Sequence, residues 1–328
     1  MLIKVTGKRG ALFLLLGVFI FSLLLLDVYA DEGRERAQEQ AIQAAQESDD
    51  PSALDYRQKL GKPIVVEEEF FRQELDSYVR FMPNTGAKCQ SGKVGLVTAA
   101  SEYNYNIKAF DQLPIQFAVI SKYIGIHNST AVQLPAKLTA ASFGMETTLP
   151  FFNLDKTYLT IGLAPSFFSD NWNFNSSTFS LIQRYFMIYQ PNEKLTLIAG
   201  VEYSPGFRPA LDPIVGFIYR PNDRLTFNIT PSNPEIAYDF SKRWTVFAQG
   251  DYLSDEYKVK QGDLKNLVLN YNEIRLGAGL RCAINKNIKA SLACGSVFDR
   301  SIKYKENNLG KVALDNGFYS EFRLDIIM

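Results

Sequence analysis

The single histidine of this 328-residue chain lies in Ile126-His127-Asn128-Ser129-Thr130. If that stretch is a strand, His127 and Ser129 project from the same face, where an imidazole can take the proton of a serine hydroxyl and turn it into a nucleophile. Such a pair needs a third group to orient the imidazole, and no partner can be assigned from the sequence. Asn-Ser-Thr is also common turn material, so the competing reading is a solvated connection, and that is the one the sequence favours. Other chemistries have less to stand on. Cys89, Cys282 and Cys294 are scattered, with no paired-cysteine or histidine pattern for a metal, and no metal or cofactor is expected. Cys282 and Cys294 flank the turn at Asn285 to Asn287 at unequal distances and would not sit opposite one another, which makes them small apolar strand residues and not a disulfide. There is no Gly-rich phosphate loop and no Gly-x-Ser-x-Gly elbow. Asp170, Asp212, Asp239 and Asp251 are too dispersed for an acid–base pair and read as loop, turn or lumen charges. The sequence thus nominates no catalytic, cofactor or metal residue.

Charge removes another class of function. Lys plus Arg and Asp plus Glu both total 35, so no net field draws in nucleic acid, and no such partner is expected. The abundant residues are aromatic, 24 Phe and 17 Tyr, which suit strands.

Strands are the elements that would have to position any site. In the last stretch, Gly317 to Met328, one face carries Phe318, Ser320, Phe322, Leu324, Ile326 and Met328, and the other Tyr319, Glu321, Arg323, Asp325 and Ile327. A strand with one apolar and one charged face lies between two solvents: protein core and water in a soluble sheet, lipid and a polar lumen in a membrane barrel.

Upstream, Tyr189-Gln-Pro-Asn-Glu-Lys-Leu-Thr-Leu197 recurs as Tyr219-Arg-Pro-Asn-Asp-Arg-Leu-Thr-Phe227. Pro presets φ and Asn or Asp tolerates the bend, so each copy is a tight hairpin turn, and turns recurring every second connection fall on one rim of an up-and-down sheet. Between them Leu195, Leu197, Ala199, Val201 and Tyr203 alternate with Thr196, Ile198, Gly200 and Glu202. Likewise Ile274, Leu276, Ala278, Leu280 and Cys282 alternate with Glu273, Arg275, Gly277, Gly279 and Arg281. Charges and glycines on the inner face suit a lumen. Further short turns at Ser241 to Arg243 and Asn285 to Asn287 oppose longer connections at Ser166 to Ser177 and Ser254 to Asn266. Tyr189, Tyr219, Tyr203 and Tyr252 stand where interfacial girdles belong.

The N-terminus supplies the context. Lys4, Lys8 and Arg9 precede an apolar run from Leu12 to Leu26 and then Val28-Tyr29-Ala30, the pattern of a secretory signal peptide over residues 1–30. Residues 31–62 are polar helix formers with little apolar face, a helical or disordered periplasmic leader. Residues 63–92 are a linker, short helix or first strand; Glu67 to Arg80 fits a short helix. Residues 93–328 form the expected barrel. The fold class is all-β: an up-and-down antiparallel transmembrane barrel of about 12 strands (12 to 14), at about 20 residues per strand with its connection. Counting back from the last strand gives thirteen segments, an odd number. Either residues 64–82 supply a poorly patterned first strand or one segment is not separate.

Leu149-Pro-Phe-Phe152, Gly200-Val-Glu-Tyr-Ser-Pro205, Gly216-Phe-Ile-Tyr-Arg-Pro-Asn222 and Tyr319-Ser-Glu-Phe-Arg-Leu324 resemble a family of uncharacterised bacterial outer-membrane β-barrels over roughly residues 93–328. The resemblance implies fold and outer-membrane location, and no activity. One departure is Met328, where such barrels usually end in an aromatic. The expected partners are outer-membrane lipids and a barrel-assembly machinery engaging the C-terminal strand through Phe318, Phe322, Leu324, Ile326 and Met328. The expected function is a porin-like passive channel for small solutes or a structural barrel. The alternatives are a non-conducting surface-binding barrel and a lipid hydrolase using His127 and Ser129, whose spacing resembles that of outer-membrane phospholipases. One outcome is immediate: N-terminal sequencing of the exported protein should read from Asp31, and a chain still beginning at Met1 would refute the signal-peptide assignment.

Overall fold

The computed structural model describes residues 73–328 except 89, 110–112, 152–153, 173, 206–209, 232–233, 260–266 and 306–309. The readings for residues 1–72, for Cys89 and for the connection at Phe110-Asp111-Gln112 lie outside the described residues.

Among the described residues fourteen strands follow one another: β1 (Gln73–Gly86), β2 (Lys93–Ala109), β3 (Leu113–Asn128), β4 (Lys137–Pro150), β5 (Thr157–Ser169), β6 (Phe179–Asn192), β7 (Leu195–Tyr203), β8 (Leu211–Asn222), β9 (Leu225–Ile229), β10 (Glu235–Asp239), β11 (Trp244–Lys258), β12 (Val268–Ala283), β13 (Ile288–Tyr304) and β14, in two pieces, Lys311–Ala313 and Gly317–Ile327. Both pieces of β14 keep one register against β13, from Lys303 opposite Lys311 down to Ile288 opposite Ile326, so they are a single interrupted strand. Each strand pairs antiparallel with its sequence neighbours, and β1 pairs with β14 to close the barrel. At this seam Glu74 lies opposite Ile327 and Phe81 opposite Ser320, and an Ala87–Leu314 bridge extends the pairing upward. The even strand number follows from both ends of the barrel meeting on one rim, where the Met328 N–H donates to the Gln73 carbonyl at 2.8 Å.

That rim also holds the tight turns. The Asn192 side-chain oxygen accepts from the Lys194 and Leu195 N–H groups at 3.0 and 3.1 Å, and Asn222 does the same for Arg224 and Leu225. Asn285 accepts from Asn287 and Ile288 at 2.8 Å each. The repeated motif works because Asn supplies the acceptor that an open turn otherwise lacks. Connections on the opposite rim are longer, such as 129–136, 170–178 and 259–267.

The two faces are those of a membrane barrel. Outward stand Phe81, Phe143, Met187, Val215, Leu276, Leu292 and Phe318, all exposed, with Val215 at 74% and Phe318 at 73%. Tyr189, Tyr219, Tyr203 and Tyr252 also face outward, near the two rims. Inward stand the charged and small residues.

The structure departs from the sequence reading in three places. β1 covers Gln73–Gly86, upstream of the expected start near Lys93, and Gln73 to Arg80 is strand, not helix. Local propensity there is overridden by backbone pairing with β2 and β14 on both sides. Second, β5 runs to Ser169 and β11 to Lys258, beyond the loop starts at Ser166 and Ser254. The upper outward residues of β11, Ser254, Glu256 and Lys258, are polar, so its lipid-facing alternation ends before the strand does, whereas β5 keeps Phe167 outward against Phe179. Third, the alternation of β13 changes phase at Asp299, whose φ of 45° marks a bulge between β12 and β13. Below it odd-numbered residues such as Gly295 and Val297 face in; above it Arg300, Ile302 and Tyr304 do.

The seam is testable. In a Cys89→Ser, Cys282→Ser, Cys294→Ser background, Val79→Cys with Phe322→Cys, a directly opposed pair, should form a disulfide under mild oxidation of the folded protein. Val79→Cys with Arg323→Cys, on opposite faces, should not. Equal crosslinking of both pairs, or of neither, would refute the closure.

Candidate functional site

The candidate site is the lumen, and its first component is a charged wall on β1 and β10 to β14. The Arg80 Nε donates to Glu321 Oε2 at 2.7 Å, and both side chains are buried. Arg323 reaches Glu321 at 3.3 Å and Asp76 at 3.7 Å. The Tyr78 ring lies beneath both guanidinium groups, 4.9 Å from Arg80 and 5.4 Å from Arg323. Arg275 bridges Glu273 and Asp251, and Arg281 pairs with Glu235 at 2.7 Å. In place of larger side chains, the inner faces of β12 and β13 carry Gly277, Gly279 and Gly295. A Cβ on Gly277 would run into the Tyr319 hydroxyl, and one on Gly279 into the Phe247 ring. The missing side chains let these two aromatics lie against the wall, with Arg80 over Tyr319 and Arg281 over Phe247.

The second component closes the loop-side half of the lumen. Met82, Leu96, Ile124, Leu138, Tyr257, Leu269, Tyr271, Ile302, Tyr304, Val312 and Leu314 form one buried apolar cluster inside the barrel, with Phe168 packed against it. Interactions reach across from wall to wall. Lys122 on β3 donates to Asp255 on β11 at 2.7 Å, and Asp255 also accepts from the Tyr257 hydroxyl at 3.0 Å. The Tyr304 hydroxyl donates to the Gln133 carbonyl at 2.9 Å. At the top, Ser169 of β5 bridges to Lys258 of β11, and the Asp170 N–H donates to the Lys258 carbonyl at 3.2 Å. This contact joins strands five and eleven directly and leaves β6 to β10 beneath it. The axial path to the long-loop side is therefore filled.

The third component is open space. A cavity of about 160 Å³ lies inside β2 to β6, lined by Glu102, Gln116, Ala118, Gly144, Glu146, Ala164, Ile182 and Arg184 among others. Beside it the inner face is apolar: Phe186 and Ile188 of β6, Ile198 of β7, and Ile214 and Ile218 of β8 share the inward register and are half-buried. The wall then drops, since β9 and β10 have five residues each, where a spanning strand needs about 9–11. Among the described residues this hairpin pairs with β8 up to Phe217 and with β11 up to Gly250, whose N–H donates to the Pro234 carbonyl at 2.8 Å. Above it, the upper parts of β8 and β11 flank a dip roofed by the β5–β11 contact. Pro213, which has no N–H to leave unpaired, stands on the edge of β8 that has no strand partner among the described residues.

The His-x-Ser pair lies elsewhere. His127 is exposed on the outward face at the top of β3, opposite Gly95. The Ser129 hydroxyl accepts from the Lys93 N–H at 2.9 Å and donates to the Lys93 carbonyl at 3.1 Å. It serves as a clamp between β2 and the following loop, with its proton on a carbonyl and not on an imidazole. Cys282 and Cys294 are free thiols on the outward face. Asp251 and Asp212 are lumen charges, Asp239 sits at a turn bonded to Thr245, and Asp170 lies in the β5–β6 connection. The sequence did not single out Asp76, Arg80, Lys122 and Asp255. Their inward register was the available signal, and it needed β1 and the upper end of β11 to be recognised as strands.

These features define a closed barrel of the outer-membrane type with a partly filled lumen. The chain belongs to the family described as a domain of unknown function, DUF6268, whose model matches residues 115–325. No curated protein matches the sequence. Among solved structures it is similar to the COG4313 outer membrane channel from Pseudomonas putida F1, with 9% identity and a TM-score of 0.45, over 80% of this chain and 97% of that one. A Pseudomonas aeruginosa FadL homologue gives 11% identity and a TM-score of 0.42, over 78% and 89%. The KdgM porin in complex with disordered oligogalacturonate gives 9% and 0.31, over 76% and 98%.

A buried ion pair is costly to break from one side. Arg80→Met or Glu321→Met alone should lower unfolding stability by about 3–5 kcal/mol in urea titrations of the vesicle-inserted barrel, while the double variant should lose less than the two combined. Strict additivity would mean that the two side chains do not act on each other.

Proposed function

We propose that the protein is a passive outer-membrane channel for small amphipathic solutes, which pass between the tight-turn rim and the dip in the wall above β9 and β10. The observation that carries this reading is the pairing of a filled upper axis with an interrupted wall. A free strand edge in hydrocarbon leaves backbone groups unsatisfied, so an edge at membrane depth belongs beside a water-filled path. The inner surface leading to it is mixed: apolar along Phe186, Ile198 and Ile218, charged just above them at Arg184 and Glu202, and charged on β2 and β4 at Glu102 and Glu146. That combination suits molecules with one apolar and one polar end. In this reading lipids cover the outward face, and the C-terminal strand, with Phe318, Phe322, Leu324, Ile326 and Met328, is the segment an assembly machinery engages. The hydrolase alternative finds no support here, because the Ser129 hydroxyl is committed to the Lys93 backbone. One observation favours a second reading, a non-conducting surface barrel: the apolar cluster that fills the upper lumen.

Uptake kinetics separate the two. Proteoliposomes should load anilinonaphthalene sulfonate, an amphipathic anion, several-fold faster than empty liposomes. Ala164→Trp, which fills the lumen cavity, should abolish the gain while the folded barrel keeps its heat-modifiable gel mobility. No acceleration by correctly folded wild-type protein would leave the non-conducting barrel as the better account.

A further inference from the structure

The outward face of β11 to β14 changes character row by row toward the long-loop rim. One row is apolar, Tyr252 opposite Ile274 and Ile274 opposite Phe298. The next is Ser254, Asn272 and Ser301, with the Ser254 and Asn272 side chains hydrogen-bonded at 2.6 Å. The row above is Glu256, Asn270, Lys303 and Lys311 in continuous cross-strand register. A switch from apolar to polar within two rows on a lipid-facing surface marks the level where acyl chains end and headgroups begin.

At that level two lysines stand directly opposite one another. Like charges on opposed strand positions destabilise a sheet, and among the described residues neither Lys303 nor Lys311, both exposed, has an ion-pair partner. Both lysines line an outward cavity of about 500 Å³, large enough for a phosphorylated sugar ring. Three carboxylates line the same cavity: Glu256 is held by Lys305 at 2.5 Å, Glu273 by Arg275 at 3.0 Å, and Asp299 stands lower down, at the β13 bulge. Asn270, whose amide oxygen accepts from Asn272, keeps its amide N–H groups for a hydroxyl, and Tyr252 below supplies an exposed ring at the acyl boundary.

We propose that this cavity binds the phosphorylated sugar headgroup of an outer-leaflet glycolipid, with Lys303 and Lys311 clasping one phosphate between them. The bound anion turns the cross-strand repulsion into two charge-assisted contacts. The acyl chains of the same lipid then run down over Tyr252 and Ile274. The site rests on the outer-membrane reading and is independent of whether the lumen conducts.

The test is native mass spectrometry of the full barrel in non-ionic detergent with bisphosphorylated lipid A, dephosphorylated lipid A and inorganic phosphate as probes. The expected result is retention of bisphosphorylated lipid A at least tenfold tighter than the dephosphorylated form. Lys303→Gln with Lys311→Gln should abolish that difference, Lys303→Arg with Lys311→Arg should restore it, and Lys156→Gln with Lys242→Gln, at the opposite rim, should leave it intact. Heat-modifiable mobility of every variant separates loss of the site from loss of the barrel. Equal retention of the two lipids by wild-type protein, an unaffected double Gln variant, or full displacement by millimolar inorganic phosphate would each overturn the assignment. If the wild-type protein needs no detergent and shows no heat-modifiable form, the outer-membrane reading itself fails.

Discussion

The constraint on which the rest of the structure depends is the closure of β1 on β14. In hydrocarbon every backbone N–H and C=O must be paired within the protein, and a sheet satisfies that only where no strand edge faces lipid. The seam from Glu74–Ile327 to Phe81–Ser320 does this. It also brings Arg80 to Glu321 and Asp76 to Arg323, so the residues that complete the backbone pairing also place the densest charge network in the lumen. Closure and lumen chemistry are one arrangement.

Inside that closed wall, packing is uneven. On the β12–β13 side glycines leave room for Tyr319 and Phe247 to lie flat, and the loop-side half is filled by a core of aliphatic and tyrosine side chains. On the β6–β8 side the inner face is apolar but half-exposed, and the wall falls away at β9 and β10. A barrel of fourteen strands is wider than side chains alone can fill. Here the excess circumference is taken up by joining β5 to β11 across the top, which leaves the remaining width as a side lobe.

Much of the fold was legible where one solvent lay on each side of a strand. In β7, β12 and β14 alternation alone gave the correct inward residues, and the paired Pro-Asn turns fixed the rim. Legibility failed where that contrast weakened. β1 sets Asp76, Tyr78 and Arg80 against Ser77 and Val79, so neither face is plainly apolar. The upper part of β11 leaves the lipid and turns polar on its outer side. In β13 the bulge at Asp299 reverses the phase, so no fixed period reaches Arg300 and Tyr304. Of the site, the isolated His127 and Ser129 drew notice by residue type, while Lys122 and Asp255, which meet across the lumen, belong to strands far apart in sequence and carry no local signature.

The central claim is that the apolar inner face of β6 to β8 is a wetted solute path and not a second lipid-facing surface. Thiol accessibility in intact proteoliposomes, in the background lacking the native cysteines, tests this most directly. Ile218→Cys and Ile198→Cys should react with a hydrophilic maleimide, while Val215→Cys and Phe217→Cys, on the opposite face, should remain protected. Protection of both inward positions, or equal labelling of all four, would contradict it.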